Sequence, residues 1–128
     1  AEGGSEPPVM LGITVLTSMN QAALSSLNIA LPIADQVQAM ARLAYTAQAH
    51  GGVASPQEAS ALRVLLGPDA YIVTPGVRPR GSALDDQSRV ADPASAIAQG
   101  ASHLVIGRPI TQASDPVAAF EEIVSSLE

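Results

Sequence analysis

Two glycine-arginine pairs hold the residues best suited to chemistry in this 128-residue chain, which has six arginines and no lysine. Arg78 follows Pro75, Gly76 and Val77 in "VTPGVRPRG" (73 to 81), and Arg108 follows Gly107 in "LVIGRPIT" (104 to 111). In both, an apolar run ends in glycine and then presents a guanidinium. Glycine lets backbone N–H groups approach a ligand closely, and arginine adds a planar fork of donors that stays charged at physiological pH. Such a combination grips an anion, and the bidentate fit of guanidinium to phosphate makes phosphate the favoured one. A helix opening just after Gly107 would turn its N-terminal dipole to the same spot. An arginine at a strand end is more often a surface ion-pair partner, so the flanking motif carries this reading and the residue type alone does not.

Composition removes several other classes of function. A net charge of -6 leaves no basic stripe for a nucleic-acid backbone. The absence of cysteine excludes disulfides, thiolate nucleophiles and thiolate zinc sites, and His50 and His103 stand too far apart for a histidine metal motif. Neither a metal nor a cofactor is expected. No apolar run approaches the roughly 18 residues of a membrane span, and the opening "AEGGSEPP" has neither the basic region nor the apolar stretch of a signal peptide. These features predict a soluble, cytoplasmic protein with no membrane partner.

The elements that position the two arginines follow from periodicity. "MLGITVLTS" (10 to 18), "GGVAS" (51 to 55), "YIVTPG" (71 to 76) and "HLVIG" (103 to 107) are apolar at consecutive positions, as in strands buried on both faces. Helical patterns fill the intervals, at Ala34 to Ala49, Gln57 to Leu66, Ala94 to Ala98 and Val117 to Leu127. Ser55, Pro56, Gln57 and Glu58 read as a capping box, and Asp92-Pro93 and Asp115-Pro116 as acidic caps followed by proline. Strand and helix in alternation predict a single α/β domain with a parallel sheet, either a small open sheet or half of a closed barrel. The long connection from Gly76 to about Val90, with Arg78, Arg80, Asp85, Asp86, Gln87 and Arg89, lies after a strand, where ligands of α/β proteins bind. Asp85 and Asp86 read as a solvated pair, since carboxylates beside a phosphate oppose its binding; His103 is placed at the start of its strand, away from the ligand.

"TVLTSM" (14 to 19), "GGVASPQEA" (51 to 59), "VTPGVRPRGSALDDQSRV" (73 to 90) and "LVIGRPITQASDP" (104 to 116), in this order, resemble the C-terminal half of bacterial orotidine 5'-phosphate decarboxylase. The resemblance covers the chain from about Met10 onward. It implies that residues 1–128 form one parallel (βα) half-barrel corresponding to strands five to eight of a TIM barrel. It also implies a cofactor-independent decarboxylase that makes UMP from orotidine 5'-phosphate in pyrimidine synthesis and is usually a homodimer. Thr17 and Ser18 would then face the pyrimidine, with Ser18 at the base edge; Pro75, Gly76 and Val77 would line the pocket floor; Arg78, Gln87, Gly107 and Arg108 would hold the phosphate. On residues alone, Ser18 reads equally as the start of a helix and Gln87 as a solvated loop residue. Arg80 departs from the family's usual residue, either adding to the phosphate's attraction or pairing with Asp85 or Asp86.

The reacting machinery implied by the resemblance is missing. The family uses a lysine within an alternating Lys-Asp array on the second and third strands, with an aspartate from the partner subunit, and this chain has no lysine. Arginine is too weak an acid to replace it. No catalytic residue is therefore assigned, and the chain alone is expected to be inactive. A half-barrel also leaves two open sheet edges and inward side chains, here Ile13, Val15, Val73 and Val105, without a covering layer. That predicts either a complementary N-terminal half-barrel or a self-associating, non-catalytic half-barrel that binds phosphate or UMP. A related sugar-phosphate decarboxylase of the same superfamily shares the phosphate grip, and the Thr-Ser-Met segment favours the pyrimidine enzyme.

Overall fold

The computed structural model describes residues 3–80 and 91–128. Strands β1 (Leu11–Ile13), β2 (Gly51–Val53), β3 (Tyr71–Thr74) and β4 (His103–Leu104) form one sheet in sequence order with every pairing parallel, as the alternating pattern predicts. Helices α1 (Gln21–Ser26) and α2 (Ile33–Thr46) join β1 to β2, and α3 (Ala59–Leu66) joins β2 to β3. Helix α4 (Pro93–Ala98) precedes β4, and α5 (Arg108–Thr111) and α6 (Pro116–Ser126) follow it. No helix among the described residues is long and apolar enough to cross a membrane.

The strands are shorter than the apolar runs that announce them. Single ladder bonds carry the pairing a step further, from Thr14 N–H to the Val53 carbonyl at 3.1 Å and from Val105 N–H to the Thr74 carbonyl at 3.0 Å. Beyond these the backbone turns into the loops of the rim. Gly51 is required by the closeness of the pairing, since a Cβ there would stand 1.8 Å from the Tyr71 carbonyl oxygen.

Helix α1 is an element that the pattern does not predict. Six residues are too few to show a periodicity, and its start signal is local: the Asn20 side chain accepts from Ala23 N–H at 2.9 Å. The acidic caps are as expected, with Asp92 accepting from Ser95 N–H and Asp115 from Ala118 N–H. The capping box is not. The Ser55 hydroxyl donates to the Glu58 carboxylate while Glu58 N–H bonds the Ser55 carbonyl, so Pro56–Glu58 form a single 3-10 turn before α3.

The main core lies between the sheet and helices α1 to α3, built from Leu24, Val37, Ala41, Leu62, Leu66 and Ile72. Small side chains let α2 and α3 lie close to the strands, consistent with a composition almost free of aromatic residues. A second, smaller core joins Val77 to Ala96 and Ala101 beneath β4. On the opposite face of the sheet Ile13 and Val105 are more than half exposed. Val15 does not share that fate: β1 has ended at Ile13, the alternation is broken, and Val15 packs into the main core. His103 is exposed at the start of β4, its ring stacked on Tyr71 with centroids 5.3 Å apart.

At the N-terminal ends of the strands one side chain ties several segments together. The Arg63 guanidinium donates to the carbonyls of Gly67, Pro68 and Ala70 between α3 and β3, and to that of Gly100 between α4 and β4, at 2.8 to 3.1 Å. These carbonyls lie outside the helices and strands, and a fixed fork of donors satisfies them together.

Candidate functional site

Because all four strands run parallel, their C-terminal ends open on one rim, and Thr17, Ser18, Pro75, Gly76, Val77, Arg78, Gly107 and Arg108 follow those ends in the chain. At the end of β1, Met19 N–H bonds the Leu16 carbonyl at 3.0 Å and makes Thr17 and Ser18 the two central residues of a tight turn. Thr17 is buried and Ser18 exposed. The helix start that Ser18 could have served belongs to Asn20 instead.

At the end of β3 the chain passes Pro75 and reaches Gly76 with φ of 75°, a left-handed conformation that favours glycine. Val77 turns its side chain into the small core beside Ala96, so its backbone is what it offers to the rim. Arg78 follows, 8% exposed, with its Nε out of solvent. Its N–H donates to the Ala91 carbonyl at 2.9 Å, and Ala91 N–H returns to the Gly76 carbonyl at 3.4 Å. The connection after β3 is therefore closed at its base. Gln87, Asp85 and Asp86 lie outside the described residues.

Arg80 has an explicit partner, the Asp92 carboxylate at 3.4 Å. Asp92 also accepts from the Ser95 N–H at 2.9 Å and the Ser95 hydroxyl at 3.1 Å. The Ser95 backbone N–H, followed by its hydroxyl and by Arg80, holds the Asp92 carboxyl below the ordinary aspartate value despite partial burial.

At the end of β4, Gly107 precedes α5, and its carbonyl accepts from Ile110 and Thr111 N–H at 2.9 and 3.0 Å. Arg108 is the first residue of that helix and is half-buried. Since β3 and β4 are paired through Thr74 and Leu104, Gly76–Arg78 and Gly107–Arg108 leave adjacent strand ends. Thr17 and Ser18 leave the far edge strand, up to about 14 Å away at the usual strand spacing. The rim thus has a cationic end and a hydroxyl-bearing end. That division suits an elongated ligand with an anion at one terminus and a hydrogen-bonding group at the other.

A cavity of about 590 Å³ lies beside this rim, lined by Pro79, Arg80, Asp92, Pro109, Glu122 and Ile123 among others. It is a groove on the helical flank, bounded by α4 and α6, and Thr17, Ser18, Gly107 and Arg108 do not line it. One rim feature went unrecognised in the sequence: Ser55 and Glu58 form a buried polar pair at the end of β2. Their spacing was visible, but it also fits a helix cap.

A family model described as "Orotidine 5'-phosphate decarboxylase / HUMPS family" matches residues 1–123. An orotidine 5'-phosphate decarboxylase of Rhodopseudomonas palustris is 48% identical over 97% of this chain and 53% of its own length. One of Vibrio cholerae is 51% identical over 97% of this chain and 54% of its own. The crystal structure of the orotidine 5'-phosphate decarboxylase from Lactobacillus acidophilus superposes with a TM-score of 0.81 at 38% identity, covering 98% of this chain and 52% of that one. The chain spans about half the length of the relatives it matches, and its four parallel strands with their helices correspond to half of that barrel.

Proposed function

The chain belongs to the orotidine 5'-phosphate decarboxylase / HUMPS family, and from that premise we propose that it is the phosphate-holding half of an orotidylate decarboxylase barrel. In this reading Arg78, Gln87, Gly107 and Arg108 grip the 5'-phosphate of orotidine 5'-phosphate or UMP. Thr17 and Ser18 meet the pyrimidine, and Pro75, Gly76 and Val77 form the floor between. The observation that carries the proposal is the position of Gly76–Arg78 and Gly107–Arg108 on adjacent strand ends, with the Thr17–Ser18 turn across the same rim. Among members of this family the relatives at about half identity are named for the pyrimidine reaction, which favours orotidylate over a sugar phosphate.

The reaction breaks the bond from C6 to the carboxylate, leaves its electron pair on C6, releases CO2 and then delivers a proton to C6. Two arginines at the phosphate do not perform that last step, because guanidinium does not surrender a proton at neutral pH. Their contribution is binding energy and orientation, exerted on a centre some distance away. The proton donor then comes from a lysine-bearing half that faces this one. Activity of the chain alone is expected to be absent, and the working assembly is a cytoplasmic enzyme whose substrate site is completed by that half.

A second reading, a self-associating half-barrel that binds UMP without catalysis, is favoured by the exposure of Ile13 and Val105 on the sheet face that a barrel would enclose. Calorimetric titration with UMP tests what both readings share. Arg108→Ala is expected to weaken UMP binding at least tenfold, the loss of about 1.4 kcal/mol or more that a charge-assisted phosphate contact implies; unchanged affinity refutes the phosphate assignment. Light scattering separates the readings, since a stable dimer of the pure chain supports the second and a monomer the first.

A further inference from the structure

The groove beside the rim is walled by this chain's own residues, and its volume of about 590 Å³ falls in the usual range for small-molecule sites. Helix α6 supplies one side. Ala119, Glu122, Ile123 and Ser126 follow one another at three- and four-residue intervals, so they share a face, and α6 packs against both α4 and α5. The other walls adjoin the anion rim in the chain: Pro79 follows Arg78, Asp92 follows Ala91 and Pro109 follows Arg108.

The chemistry of the groove is unlike that of the rim. Pro79, Pro93 and Pro109 add apolar surface and no backbone N–H, which leaves little there to hold an anion. Arg80 is engaged through its Nε with Asp92 at 3.4 Å, and Asp92 already accepts from Ser95 N–H at the start of α4. Those two charges offset each other. Glu122 remains, a carboxylate with no hydrogen bond or ion pair among the described residues. The Ser126 hydroxyl gives its proton to the Ile123 carbonyl at 2.6 Å, so toward a ligand it keeps only acceptor capacity. An exposed glutamate is ordinarily solvated and nothing more. Here it stands on a concave wall of proline, alanine and isoleucine, where a ligand's hydrocarbon body leaves water while its charge meets the carboxylate.

We propose that this groove is a ligand site for a small organic monocation with an apolar body, an amine or amidine, and that its occupancy strengthens anion binding at the rim. The coupling is electrostatic. A cation held against residues that adjoin Arg78 and Arg108 adds positive potential at that end of the rim, and linkage makes the effect reciprocal. The cation site stands on the groove alone, whereas the coupling rests on the function proposed above.

Benzamidine, benzamide and benzoate share a ring and differ in charge, and calorimetric titration of each into the chain at low salt tests the site. Benzamidine is expected to bind in the millimolar range, with benzamide about tenfold weaker and benzoate weaker still. Glu122→Gln should weaken benzamidine about tenfold. Glu121→Gln removes the same charge from a position that does not line the groove, and it should bind as the wild type does. Both glutamates are exposed, so neither variant should change the thermal melt. Equal affinity for benzamidine and benzamide overturns the proposal, as does the absence of benzamidine binding. An equal loss in the two glutamine variants also overturns it, by reducing the effect to general attraction toward an acidic chain. With benzamidine saturating, UMP should bind about twofold tighter or more, and that gain should vanish in Glu122→Gln. Unchanged UMP affinity overturns the coupling. UMP that binds in neither condition refutes the phosphate reading instead, and the benzamidine titration then decides the groove by itself.

Discussion

Arg78 and Ala91 face each other across the base of the connection after β3, with the Arg78 N–H on the Ala91 carbonyl at 2.9 Å and a parallel bridge between Val77 and Ala91. The arginine proposed to hold a phosphate is therefore set by its own backbone, beside a glycine whose φ of 75° turns the chain into position. Gly76→Ala is expected to cost about 1–2 kcal/mol, the price of a left-handed conformation for a residue with a Cβ. It should also weaken UMP binding more than its stability loss explains. Urea denaturation and calorimetry on the same variant separate the two effects.

Arg63 bonds carbonyls in both the α3–β3 and the α4–β4 connection. Arg63→Ala should destabilise the chain by about 2–3 kcal/mol, because several oriented bonds to one charge are lost and their acceptors remain partly buried. Arg63→Lys should recover only part of this, since a compact ammonium cannot span acceptors that a fork reaches together. Equal stability of the lysine variant and the wild type in urea would contradict that geometry.

A methyl group on Gly51 would overlap the Tyr71 carbonyl. The obstruction is backbone of the neighbouring strand, so Gly51→Ala must push β2 and β3 apart or shift their register. Its expected cost is about 3 kcal/mol or more, at the upper end for overpacking. Gly67, with nothing within 4 Å of a Cβ position but φ of 92°, should cost less on the same substitution, about 1–2 kcal/mol of backbone strain alone.

The lowered Asp92 carboxyl has a definite consequence for acid stability. A carboxyl whose folded-state value is depressed stabilises the fold fully above its unfolded value, near 3.8, and loses that contribution as pH falls through the folded value. Asp92→Ala should therefore be less stable than the wild type by about 1 kcal/mol at pH 7 through loss of the cap. The gap should narrow as the pH drops below 4. Chemical denaturation across pH 2.5 to 7 measures it, and a gap that widens toward acid would contradict the assignment.

The legible parts of this molecule were those written in neighbouring residues. Asp92-Pro93 and Asp115-Pro116 announced two helix starts because a cap and a proline at the first turn are local devices. The parallel order of the strands followed from apolar runs separated by helical ones. Contacts between distant residues were not legible: Arg80 reaches Asp92, twelve residues on, and the adjacent acidic pair in the connection was an equally good partner on spacing alone. Arg63 looked like an ordinary helical arginine, and nothing nearby in the chain marks Gly100 as its acceptor. Val15 was placed by the end of β1, which periodicity does not locate to one residue. Along the rim, the glycine-arginine motifs were visible and the distance from them to Thr17 was not, since strand order sets it.

The fastening made by Arg63 and the rim that carries Arg78 stand at opposite ends of the strands, and Gly76 and Ala91 adjoin through a backbone bond. The segment between them enters and leaves the scaffold at nearly one point, as an exchangeable cassette does. Sequences of other lengths grafted between Arg78 and Ala91 need close only a gap already spanned, at an entropic cost that grows slowly with length. The length and sequence of this connection can thus be changed in evolution or in the laboratory while the helices behind it keep their packing.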